Sequence, residues 1–131
     1  MIHTDRIDRI IAGGTGRLPR KVRLTDDAVI SVHAGPGAYC TPRPQYYGRG
    51  DAPADFAGPY TALEVFLVAS LALPEGWERY YEGEPDDTGV LCANVPVDEV
   101  RALVVEHGGE HVAQDEMDDV WKALGESVLP D

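Results

Sequence analysis

Tyr60-Thr61-Ala62-Leu63-Glu64-Val65-Phe66-Leu67-Val68-Ala69 decides how the rest of the chain is read. Its strand-length run of apolar, β-branched and aromatic residues reads as the centre of a sheet. Glu64 is the anomaly within it, because a carboxylate in a central strand is costly unless paired. It either bridges to an arginine on a neighbouring strand or contacts ligand hydroxyls.

Upstream, Lys21-Val22-Arg23-Leu24-Thr25 alternates polar and apolar, Asp26-Asp27 makes a tight turn, and Ala28 to His33 forms a second strand, giving a hairpin. Alternation puts Val22 and Leu24 on one face and Lys21 and Arg23 together on the other. Ile7-Asp8-Arg9-Ile10-Ile11, closed by Ala12-Gly13-Gly14, reads as a further strand at the start of the sheet. Downstream, Pro74 to Tyr81 reads as a short helical turn and Val90 to Val95 as a last short strand. Pro96 to His107 is the clearest helix, with Pro at its start, acids in its first turn and Gly108-Gly109 as its stop. Asp115 to Leu124 reads as a second helix, with Met117, Val120, Trp121 and Leu124 on one face. The order is strands first and helices last. The expected fold is therefore α+β in one domain over 1–131: a mostly antiparallel sheet over about 5–70, then a helical part over about 95–125.

With 131 residues, 44% of them apolar, the chain can fill one core but not two. No apolar run reaches membrane-spanning length, and the N-terminus lacks the order of a secretory signal, so a cytoplasmic protein with no membrane partner is expected. The net charge of −12 argues against wrapping nucleic acid. It is unevenly spread: residues 1–50 carry eight cations and four aspartates, net +4, leaving −16 for the remainder. Either the first half offers cations to an anionic ligand, or the two halves attract each other.

The segment from Ala34 to Pro59 is too rich in Pro and Gly for regular structure, and it carries Tyr39, Arg43, Tyr46, Tyr47, Arg49 and Phe56. Arginine forks pair with phosphate and aromatic rings stack on bases, so as a binding loop it suits a nucleotide; the alternative is a disordered surface loop. Chemistry of other kinds is poorly represented. Cys40 and Cys92 read as reduced, packed thiols, with His33 available to Cys40 as a base if that thiol were catalytic. The glycines at 13, 14 and 16 are not followed by a phosphate-loop Lys-Ser/Thr, Gly108-Gly109 separates His107 from His111, and the acids at 115–119 lack Ca²⁺-loop spacing. No metal, cofactor or catalytic residue is called for, and binding is expected rather than catalysis.

Val29-Ile30-Ser31-Val32-His33-Ala34-Gly35 with Tyr39-Cys40-Thr41-Pro42-Arg43, then Tyr60-Thr61-Ala62-Leu63-Glu64-Val65, then Val95-Pro96-Val97-Asp98-Glu99-Val100 with His107-Gly108-Gly109, resemble a family of short phage proteins, the first Thoeris anti-defence family. The resemblance covers most of 7–109. The long insertion between Arg43 and Tyr60 and the acidic tail after Gly109 depart from the pattern. It implies a sponge in the cytoplasm of an infected bacterium: a homo-oligomer, dimer or hexamer, that sequesters a cyclic nucleotide signal without cleaving it. The signal would be glycocyclic ADP-ribose, with cyclic trinucleotides as further ligands, and Thoeris/CBASS-type immunity would be blocked. On this resemblance Arg20, Arg23 and Arg43 would meet phosphates, Tyr39 and Tyr60 the base, and Thr41, Glu64 and Asn94 ribose hydroxyls. The alternatives are an acidic inhibitor that binds a host defence effector, and a hydrolase of the same nucleotides with Glu64 or His33 as base.

Overall fold

The computed structural model describes residues 3–114. The elements are α1 (Asp5–Gly13), β1 (Lys21–Arg23), β2 (Val29–His33), β3 (Ala62–Val68), a 3₁₀ turn (Trp77–Tyr80), β4 (Gly89–Pro96) and α2 (Val97–Glu106). The strands form one four-stranded antiparallel sheet in the order β1-β2-β3-β4, so the α+β class expected from the sequence is the class observed. The sheet spans 21–96 rather than about 5–70, because β4 follows the 3₁₀ turn. The second helix expected at 115–124 lies outside the described residues.

The first expected strand is a correction: residues 7–11 lie in α1. Ile7, Ile10 and Ile11 stand at i, i+3 and i+4, so helical geometry puts all three on one buried face, whereas a strand would have split them. Burial of that face outweighs the modest β preference of branched side chains. The helix start is completed from far along the chain. Glu110, almost fully buried, accepts the backbone N–H groups of Arg6 (2.8 Å) and Ile7 (3.0 Å), two donors that a helix N-terminus leaves without partners. Gln114 Nε2 donates to the same carboxylate, and Gln114 Oε1 accepts the Arg23 N–H of β1. Burial raises the Glu110 pKa, partly offset by the N–H bonds and the Arg6 charge.

Alternation along the strands produces one core. Val22, Ile30, Val32, Leu63, Val65 and Leu67 face inward and join Ile7 and Ile10 of α1 and Val100, Leu103 and Val104 of α2 in a single cluster. Both helices therefore cover the same face of the sheet. Lys21, Arg23, Ser31, His33, Glu64 and Phe66 belong to the other, half-open face. The β1–β2 turn forms where expected, with Asp27 at positive φ and Asp26 Oδ1 accepting the Ala28 N–H.

Candidate functional site

The end of β2, the start of β3 and the end of β4 meet at one end of the sheet. Register shifts between Leu63 and Val65, and there β4 places Asn94 at φ 52°. The 39–41 segment runs across this irregularity. Tyr39 N–H donates to Glu64 Oε1 (3.1 Å), Asn94 N–H donates to the Tyr39 carbonyl (3.0 Å), and Thr41 bridges to Ala62. The Thr41 hydroxyl donates to Asn94 Oδ1 at 2.7 Å on the open surface. The loop between Gly35 and Pro59 is thus a folded structure stitched to the sheet.

Its outer part is a small hairpin. Gln45 N–H bonds the Ala52 carbonyl, Tyr46 and Arg49 bond each other, and the Arg43 N–H donates to Asp51 Oδ1 at 2.6 Å. These restraints hold the Arg43 guanidinium over the Tyr39 ring, 5.1 Å from its centroid. At the tip Tyr46 and Tyr47 pack edge to face, 4.5 Å between centroids, and Tyr47 is 89% exposed. A large aromatic surface is thus presented to solvent at the tip of the loop.

Glu64 makes no bridge to an arginine among the described residues. Its cross-strand partner is His33, whose Nδ1 lies 3.5 Å from Oε2, and its other oxygen holds the Tyr39 backbone. Burial pushes the Glu64 pKa up, but the His33 and Tyr39 hydrogen bonds and the charges of His33 and Arg20 outweigh it, leaving the carboxyl below its ordinary value. An arginine does contribute, through its field rather than a bridge. The Cys40 thiol is buried between the carbonyls of Gly35 and Pro42, and burial raises its pKa, so it is a poor nucleophile.

Of the eight residues singled out from the sequence, the fold gathers Arg20, Tyr39, Thr41, Arg43, Glu64 and Asn94 at this end of the sheet. It separates the other two. Arg23 pairs with Val29, four strand positions from the His33–Glu64 row and so about 13 Å away along the strands. Its Nε is buried without a partner among the described residues. Tyr60 is 2% exposed, its ring packed edge to face on Phe56 and its hydroxyl donating to the Phe56 carbonyl, so its ring faces the core. His33 joins the site; sequence alone could have found it only with the β2–β3 register in hand. Compared with known proteins, the chain matches no family model, no curated protein and no solved structure.

Proposed function

We propose that this chain binds and retains a compact anionic nucleotide without cleaving it, as a sponge for a cyclic nucleotide signal. The observation that carries the reading is the arginine held over Tyr39 beside the exposed Thr41–Asn94 pair. A guanidinium on an aromatic ring suits a phosphate next to a base, since the fork bonds phosphate oxygens while the exposed rings of Tyr46 and Tyr47 offer stacking surface. Thr41 and Asn94 offer the mixed donors and acceptors that ribose hydroxyls need. Arg20, exposed at the same end, adds positive field. Tyr46 and Tyr47 take the base-stacking role in place of Tyr60, whose ring is buried. The buried Cys40 thiol favours retention over covalent chemistry. The resemblance to the anti-defence sponges names the ligand class, glycocyclic ADP-ribose or a cyclic trinucleotide, and a dimer or hexamer whose neighbouring subunit would close the open shelf.

The second reading is a hydrolase of the same ligand, favoured by one observation: His33 beside the Glu64 carboxylate is the arrangement of an oriented base. One experiment separates them. Purified protein is incubated with each cyclic nucleotide, free ligand is filtered away, the protein is heat-denatured and the released material is identified by mass spectrometry. Intact ligand is the expected result; cleaved product establishes the hydrolase, and no depletion refutes nucleotide binding. Arg43→Ala should weaken retention about 10- to 100-fold, the loss of one charge-assisted pair.

A further inference from the structure

At the opposite end of the sheet, a groove of about 540 Å³ runs between the 72–77 connection and α2. Its apolar surface comes from Leu73, Pro74, Ala102 and Leu103, and Leu73 is 43% exposed. A second cavity of about 410 Å³ adjoins it across Asp26, Ala72 and His107. Clefts of this size hold a few side chains.

The charge around the groove selects its occupant. Residues 71–114 contain two cations, Arg79 and Arg101, and ten carboxylates. Both cations are engaged: Arg79 with Glu99 at 2.9 Å, Arg101 with Asp8 at 3.1 Å and Asp98 at 3.6 Å. Asp26 is bonded to His107 Nδ1 at 2.5 Å. Glu75 and Glu106, one on each wall of the groove, are exposed and have no cation partner among the described residues. A groove of mixed lining, with Leu73, Pro74 and Ala102 between unpaired carboxylates on either side, complements an aliphatic side chain flanked by ammonium or guanidinium groups.

We infer that this groove docks a short cationic amphipathic segment of a partner protein, seating an aliphatic side chain against Leu73 and Leu103 and Lys or Arg against Glu75 and Glu106. The inference does not depend on the nucleotide reading, because the groove lies at the Val29 and Val68 end of the strands and the Tyr39 site at the His33 and Glu64 end.

The test uses the full chain and a fluorescein-labelled amphipathic helix with leucines at i, i+3 and i+7 and lysines elsewhere, read by fluorescence anisotropy. A protein of net charge −12 attracts any polycation, so the control carries the comparison. Glu75→Lys/Glu106→Lys reverses the groove walls, while Glu82→Lys/Glu84→Lys makes the same charge change on the exposed 82–88 loop, outside the groove lining. The expected result is an affinity loss of about 20-fold or more for the groove pair against about threefold for the loop pair. Leu73→Ser should weaken binding about fivefold and do so still at high salt, where apolar contact persists. Retention of nucleotide by the groove variant should equal that of the wild type. Equal losses in the two double variants, or no binding of the peptide to the wild type, overturn the inference. Concentration-dependent self-association of the wild type that Glu75→Lys/Glu106→Lys abolishes, without peptide binding, assigns the groove to a second copy instead and likewise overturns it.

Discussion

Glu110→Ala should cost far more than an ordinary substitution outside the helices and strands. The side chain accepts two backbone N–H groups of the α1 N-terminus and the amide of Gln114, which is itself buried. Removing it leaves three buried donors without acceptors. Each unsatisfied donor costs about 1–3 kcal/mol, and loss of a cap alone costs about 0.5–2 kcal/mol. Against this stands a relief, because burial has raised the Glu110 pKa and the ionised form is paying for desolvation. The net expectation is about 3 kcal/mol, or roughly 10 °C in Tm for a chain of this size. Glu110→Gln keeps an acceptor oxygen and should lose about half as much at pH 7. The sign of the pH effect follows from the raised pKa: the folded state binds the proton more tightly than the unfolded state. The wild type therefore gains stability through this group as pH falls from the raised value towards the ordinary 4.5. The amide variant lacks that gain, so its deficit relative to wild type should widen on acidification. Urea denaturation at pH 7 and pH 5 measures both quantities. A Glu110→Ala cost below about 1 kcal/mol, or equal costs for the alanine and glutamine variants, would refute the capping argument.

Glu64→Gln should remove a stability term that runs the other way with pH. The Glu64 carboxyl lies below its ordinary 4.5, so its contribution is present above that value and is lost as pH falls through the lowered one. The substitution should cost about 1.5 kcal/mol at pH 7 and much less at pH 3, read from urea midpoints; a cost independent of pH contradicts it. Gly89→Ala should destabilise by at least about 3 kcal/mol or abolish folding, because a Cβ there would lie 2.1 Å from the Leu67 carbonyl oxygen at φ 141°. Circular dichroism melting decides it, and a near-native melt would mean that β3 and β4 separate more easily than their ladder implies. Tyr60→Phe should cost about 1 kcal/mol of stability and leave nucleotide retention unchanged, whereas Tyr39→Ala should keep the fold and lose retention. The reverse pattern in the retention assay would return Tyr60 to the binding site.

What the sequence made legible, and what it hid, divides by the distance over which each decision is made. The 21–33 hairpin, β3 and α2 are written locally: alternation over Lys21 to Thr25 with a turn at Asp26-Asp27 into a β-branched strand, an apolar run, and a helix opened by Pro96 with Asp98 and Glu99 and stopped by Gly108-Gly109. For residues 7–11 three isoleucines fit a period of 3.6 as well as a short β-branched strand, and the deciding acceptor is Glu110, over 100 positions away. No local window contains it. The candidate site follows the same rule. Tyr39 and Arg43 are legible as binding-loop residues from the loop composition, but the seating of one over the other is not. Thr41 reaches Asn94 only because register shifts between β3 and β4, a fact about two strands rather than one. Tyr60 was misjudged for a related reason. Its neighbour Thr61 does bond Thr41, but the Tyr60 N–H is taken by the Ile11 carbonyl at the end of α1, turning the ring inward onto Phe56. The helix at 5–13 and the buried Tyr60 ring therefore belong to one arrangement, which leaves Tyr46 and Tyr47 as the tyrosine rings most open to solvent.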